Sequence, residues 1–241
     1  MGRLTWLLIM TNVIIFEIIF SMPEKMLNDV FVSFSFSSAK IFEVWRWFTS
    51  LFLHASASHL FFNMLGLYFF GKIVEKETDS MKMALVYFLS GVIGNLAYSF
   101  FSSSPVVGAS GCIFGLMGYA MFVKPKEMIS LYFFPLPLGV IAIIFALIES
   151  MLVYFGEMAS GIAHIAHIGG LIVGILFAFF TQPKKSAKGL AWLLFFVLIL
   201  LIIGPIFGFI IDIGNAILSL IDFAIGLILY STAKIIGIFI W

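Results

Sequence analysis

Two histidines stand three residues apart in "IAHIAHIGGLIVG", Ile162 to Gly174, a run that is otherwise apolar. An ionisable ring is costly to hold in lipid, so such a residue marks a candidate site. A second polar interruption lies upstream in "SSSPVVGASGCIFGLMGYAMFVKPK", where Ser110 opens an apolar stretch. A third is "HASASHLFFN", in which His59 and Asn63 are spaced i, i+4 and share one helix face. A hydroxyl beside an imidazole makes an activated nucleophile, and an imidazole–amide pair can donate hydrogen bonds to a developing oxyanion. Blander roles compete with these. A serine among glycines can simply permit close packing, and a histidine near a helix end can sit at a membrane interface.

The elements that must position these groups are membrane spans. Of 241 residues, 63% are hydrophobic and only 10% charged, with a mean hydropathy of +1.19. A soluble domain carries about 25% charge. The composition therefore predicts an all-α, polytopic membrane protein. The net charge of +1 gives no sign of nucleic-acid binding, and the single Cys112 excludes an internal disulfide. The first apolar run follows Arg3 directly and is too long for a signal-peptide core, so it reads as a retained span. Apolar segments at 4–22, 57–75, 81–101, 108–123, 130–155, 160–181 and 190–211 are candidate helices, with an apolar tail over 214–241. Gly204, Pro205 and Gly208 interrupt the seventh, and Asp212 and Asn215 mark a break. The link between the first two spans is aromatic and amphipathic, which suits an interface. With a cytoplasmic N-terminus, Arg3, Lys72, Lys76, Lys82, Lys124, Lys126, Lys184, Lys185 and Lys188 all fall inside. No internal repeat is evident.

A depth ruler of about 1.5 Å per helical residue connects the polar groups. A helix from Ser110 to Val123 is about 20 Å long, short of a bilayer core of roughly 30 Å, so Ser110 lies at the bottom of a depression. His167 reaches the same level and His164 lies about 4.5 Å nearer the outer mouth. His59 and Asn63 sit roughly 20 and 14 Å above the cytoplasmic edge, so each of the three helices brings a polar group to a common depth. Gly111 with Gly115, and Gly170 with Gly174, form two G-x-x-x-G pairs that begin beside Ser110 and His167. Such pairs allow the close helix approach that a Ser–His hydrogen bond requires. A nucleophile, a base and two oxyanion donors at one depth constitute the apparatus of acyl transfer. No Asp or Glu is an obvious orienter of His167. Glu149 is the only acid deep in a later helix, which predicts a Ser–His dyad.

These residues resemble the rhomboid family of intramembrane serine proteases over residues 4–181. "GASG" at 108–111 is similar to its G-x-S-G motif and "AHIGGLIVG" at 166–174 to its A-H-x-x-G-x-x-x-G motif. "HASASHLFFN" at 54–63 fits H-x-x-x-x-H-x-x-x-N, and Trp45–Arg46 resembles the first-loop signature. The resemblance implies a six-helix catalytic core over 1–183; the hydrophobic residues over 184–241 fall outside the shared core and read as one or two additional helices. It implies Ser110 as nucleophile and His167 as general base. His59, Asn63 and the Ser110 backbone N–H become oxyanion donors, Phe114 an aromatic ring packed on the histidine, and His54 a residue with a structural role, with Gly108 as a further supporting residue. His164 matches no motif position and reads as a residue of the pocket rim. No cofactor and no metal are implied.

The expected activity is hydrolysis of peptide bonds in or near transmembrane helices of other proteins. The expected location is the plasma membrane, with the site open to the outer side. Helix five, beginning "LYFFPLPLGV", forms one wall of a lateral entrance in this reading. Two rivals stand beside it: an inactive rhomboid-like binder of transmembrane clients, and a transporter with a His/Ser relay. The binder would lack Ser110 or His167. The transporter would need a polar path onward, where the fourth and sixth helices are apolar and glycine-packed.

Overall fold

The computed structural model describes residues 2–131, 134–154 and 164–238. The chain forms two compact units, Met1–Leu194 and Phe195–Trp241.

The first unit is mostly helical. Its elements are α1 (Arg3–Phe20), α2 (Glu24–Phe34), α3 (Arg46–Thr49), α4 (Ala57–Gly66), α5 (Lys72–Glu77), α6 (Ser80–Ser99) and α7 (Ser110–Val123). A two-stranded hairpin of β1 (Met128–Leu131) and β2 (Phe134–Pro137) follows, then α8 (Leu138–Tyr154), α9 (His164–Thr181) and the start of α10 (Pro183–Ile238). Among the described residues, four helical stretches are long and apolar enough to cross a membrane: Arg3–Phe20, Ser80–Ser99, His164–Thr181 and Pro183–Ile202. Between α4 and α5 a π-helical segment, Leu67–Gly71, keeps the chain helical from Ala57 to Glu77.

Local chemistry sets the helix starts. The Ser56 side chain accepts from His59 N at the head of α4, and Asp79 accepts from Lys82 N at the head of α6. α1 has no cap of its own. The Glu75 carboxylate serves instead, accepting from Leu4 N at 2.9 Å and Thr5 N at 3.0 Å.

α7 is the centre of the unit. Every residue from Gly111 to Val123 except Phe114 is buried. A helix apolar on all sides needs neighbours on all sides. Its closest partners are α9 and α6. A Cβ added at Gly170 would meet the Gly111 carbonyl oxygen, one at Gly174 the Gly115 carbonyl, and one at Gly94 the Ala166 carbonyl. The two predicted glycine pairs therefore face each other, and the α7–α9 seam is backbone against backbone.

The link between α1 and α4 is built, not loose. Arg46, 4% exposed, donates through Nη1 to the carbonyls of Val32 (2.7 Å) and Ser35 (3.0 Å) and pairs through Nε with Glu43 at 2.6 Å. The fully buried Phe36 forms a backbone bridge with Val106, tying this link to the loop before Ser110.

Two expectations are corrected. The segment 130–155 is not helical from its start. Met128–Leu131 pairs antiparallel with Phe134–Pro137, and the helix begins at Leu138. Pro135 and Pro137 explain this, since a helix-interior proline loses a hydrogen bond and clashes with the preceding turn. The first amides of α8 are satisfied from outside, Leu138 N by Glu127 O and Gly139 N by Pro125 O. In the second unit, α10 runs through Gly204, Pro205, Gly208, Asp212 and Asn215 without the anticipated break. Glycine and proline are tolerated within apolar helices, so these residues do not by themselves end one.

Candidate active site

Ser110 is the first residue of α7 and follows a glycine that only a missing side chain permits. Gly108 has φ +119°, and a Cβ there would lie 2.7 Å from the His59 ring. The Gly108 N–H donates to Ser50 O at 2.9 Å, and the buried Asn95 donates from Nδ2 to Ser50 Oγ at 3.2 Å. The turn into α7 is thus held by α6 and by the 3-10 turn Ser50–Phe52. Ser110 N–H belongs to the first turn of α7, where amides lack an intrahelical partner and the helix dipole favours negative charge.

Across the α7–α9 seam, Ser110 Oγ and His167 Nε2 are 2.7 Å apart. The imidazole is 7% exposed and lies flat on Phe114, with ring centroids 4.5 Å apart and planes 4° from parallel. Phe114 in turn meets Phe145 of α8 edge-on. The ring thus lies against an aromatic face one turn after the serine.

On the other side of Gly108, α4 supplies two polar groups. His59 Nδ1 accepts from Ala55 N at 3.4 Å, which places the ring proton on Nε2, the nitrogen that borders Gly108. Asn63, 7% exposed, donates one amide hydrogen to His59 O at 3.0 Å and keeps a second. Two side-chain N–H groups and the Ser110 N–H therefore border the same turn. His54 is 2% exposed and packs edge-on against His59 at 5.0 Å. Burial, and then the neighbouring His59, pull the His54 pKa from 6.5 to about 4, so it is a neutral buttress.

Of the residues singled out in the sequence, Ser110, His167, Phe114, His59, Asn63, His54 and Gly108 converge here. Gly111, Gly115, Gly170 and Gly174 form the seam below them. His164 differs from its expected place. It is 4% exposed, not at a rim, with its ring edge-on to His167 at 6.0 Å. Cys112 is fully buried, where a side chain on Gly91 would collide with its sulfur. The side chain of Glu149 and the segment 155–163 lie outside the described residues. Among the described residues no cluster of His, Cys, Asp and Glu has the form of a metal site.

Sequence reasoning missed Ser50 and Asn95. Asn95 carries a readable signal, an amide within an apolar span; Ser50 carries none, because it acts through its backbone carbonyl as much as its hydroxyl.

Comparison with known proteins identifies the family. Residues 42–184 match the rhomboid domain. The rhomboid protease GlpG of Salmonella paratyphi A and that of Salmonella typhi are each 32% identical to the chain over 178 residues, covering 74% of it and 63% of the relative. The match thus spans less than two thirds of those relatives' length. The chain belongs to the rhomboid family and is a multi-pass membrane protein.

Proposed function

We propose that this rhomboid-family chain is an intramembrane serine endopeptidase that cleaves other membrane proteins in or beside their transmembrane helices. The observation that carries the reading is the 2.7 Å separation of Ser110 Oγ and His167 Nε2. Serine is a weak nucleophile until a base takes its proton. With its ring proton on Nδ1, His167 accepts the Ser110 proton at Nε2 while Oγ attacks the scissile carbonyl. The oxyanion that forms lies toward Gly108, among His59 Nε2–H, the remaining Asn63 amide hydrogen and the Ser110 N–H. His167 then protonates the leaving amine, and water attacks the acyl-enzyme by the same route in reverse.

A helical peptide bond is shielded by its own hydrogen bonds, so the substrate must unwind at the cleaved bond. Gly or Pro near that bond and small residues at it favour this. The distribution of lysine and arginine supports a cytoplasmic N-terminus in the plasma membrane, with the Ser110 end toward the outer side.

A serine-directed fluorophosphonate tests the dyad. Wild type is expected to label, whereas Ser110→Ala and His167→Ala are not. Cleavage of a reporter transmembrane substrate is expected to fall by about 10⁴-fold or more in both variants. Equal labelling of the three proteins would sink the dyad.

A further inference from the structure

α7 has a second end, and it is built from charge. At Val123 the helix stops, and an open cavity of 330 Å³ lies between the following loop and the first turns of α10. Lys124, Lys126, Lys185 and Lys188 line it, with Glu127 and Trp192. The cavity exists because α10 comes very close here; a Cβ on Gly189 would meet the Phe122 carbonyl. Gln182 holds the corner before α10, donating to Glu77 O at 2.9 Å and to the Tyr119 hydroxyl at 2.8 Å.

The charges do not balance. Glu77, 11% exposed, takes both Lys124 and Lys185 at 3.0 Å. Burial opposes its ionisation, but the hydrogen bonds and charges of Lys185 and Lys124 outweigh that, and its carboxyl titrates below the ordinary value. One carboxylate thus serves two ammonium groups. Lys126 Nζ lies 4.4 Å above the Trp192 ring, and Lys188 makes no ion pair among the described residues. Along the same helix Leu190 and Leu194, one turn apart, are 42% and 62% exposed. Surplus ammonium groups, a tryptophan at the rim and an apolar helix surface leading away are what a ligand with an anionic head and apolar chains requires.

We propose that this cavity binds the phosphate headgroup of an anionic phospholipid. Lys126 and Lys188 meet the phosphate, and the acyl chains lie along the exposed leucines of α10. Inorganic phosphate shares the anion chemistry but has no use for the apolar surface. Lys185, Lys188 and Trp192 lie beyond the matched domain at 42–184, and the cavity sits at the end of α7 opposite Ser110.

The test uses the full chain in phosphatidylcholine bilayers containing a minor share of phosphatidylglycerol. Association is read with spin-labelled versions of each lipid. Wild type is expected to select phosphatidylglycerol about 25-fold or more. Lys126→Ala/Lys188→Ala is expected to lose most of that selection, about fivefold per lysine, while Lys126→Arg/Lys188→Arg retains it. Lys40→Ala, far along the chain in the first loop, is expected to leave it unchanged. Lys188→Gln alone, a single exposed change, is expected to lose about fivefold and stands in if the double variant does not fold. Equal selection by wild type and Lys188→Gln would overturn the site. So would loss of selection in millimolar inorganic phosphate at constant ionic strength, which would make it a free-anion site.

Discussion

The two ends of α7 solve the same problem, holding polar groups beside an apolar helix, in opposite ways. At Ser110 the groups are a hydroxyl, imidazoles and an amide, joined by hydrogen bonds and ring stacking. Arg46 and Glu43 stay in the first loop, pairing with each other. At Val123 the groups are Glu77, Lys124 and Lys185, joined as ions. A neutral network can be sunk among apolar side chains at little cost, and in a low dielectric each hydrogen bond is stronger. Ions carry a desolvation penalty of several kcal/mol on burial, which Glu77 offsets by pairing with two lysines that are themselves 39% and 53% exposed. The hydrogen-bonded end holds the candidate dyad, and the ionic end keeps its lysines in contact with water.

Four changes probe that contrast, in falling order of expected effect. His59→Ala removes an oxyanion donor from the neutral end. It is expected to lower kcat by about 10²–10³-fold, or about 3–4 kcal/mol, with fluorophosphonate still reacting slowly at Ser110. A loss below threefold would show that His59 does not face the developing charge.

Acid attacks the neutral end by charging it. His54 has its folded-state pKa depressed from 6.5 to about 4. The unfolded chain therefore binds the proton first. The stability tied to its neutral form is complete above about 6.5 and is lost as pH falls toward 4, by about 3 kcal/mol in all. Unfolding midpoints in detergent between pH 4 and 8 are expected to slope for wild type and to be flatter for His54→Asn. Parallel profiles would remove His54 from the account.

Gly174→Val tests the seam between the two ends. The new side chain meets the Gly115 carbonyl. Overpacking of this kind costs about 1–3 kcal/mol and pushes α9 from α7. Both thermal stability and labelling at Ser110 are expected to fall together, whereas a drop in only one would separate seam from site.

Glu77→Gln gives the smallest effect. It is expected to cost about 1 kcal/mol or less, because its lysine partners are 39% and 53% exposed and screened. The folded-state carboxyl is depressed, so its contribution is present above the ordinary glutamate value and lost as pH falls below it. Half-molar salt should erase the difference from wild type, while cleavage at the Ser110 end stays within about twofold. A salt effect of equal size at both ends would break the comparison.

Much of this architecture is legible without coordinates. Ser110, His167, His59 and Asn63 announce themselves because polar groups are costly in apolar spans, and the depth ruler brings them to one level. The Gly111–Gly115 and Gly170–Gly174 spacings announce which helices touch. The start of the 130–155 segment, which pairs as strands Met128–Leu131 and Phe134–Pro137, reads as helix in the sequence because a short apolar run has no decisive period. Pro135 and Pro137 were the available warning. The burial of His164 was illegible because sequence depth says how high a residue lies, not which way its helix is turned.

Sequence alone thus determined the membrane class and singled out the spans and the candidate residues Ser110, His167, His59 and Asn63, because hydropathy and one-dimensional spacing encode both depth and helix face. Only the tertiary structure decided the rest. The flat Phe114–His167 stack, the Ser50–Asn95 hold on Gly108, the neutral state of His54 and the lysine cavity beside α10 all join residues distant in the chain. Their distances depend on how helices rotate and approach, and no periodicity in one segment records the orientation of another.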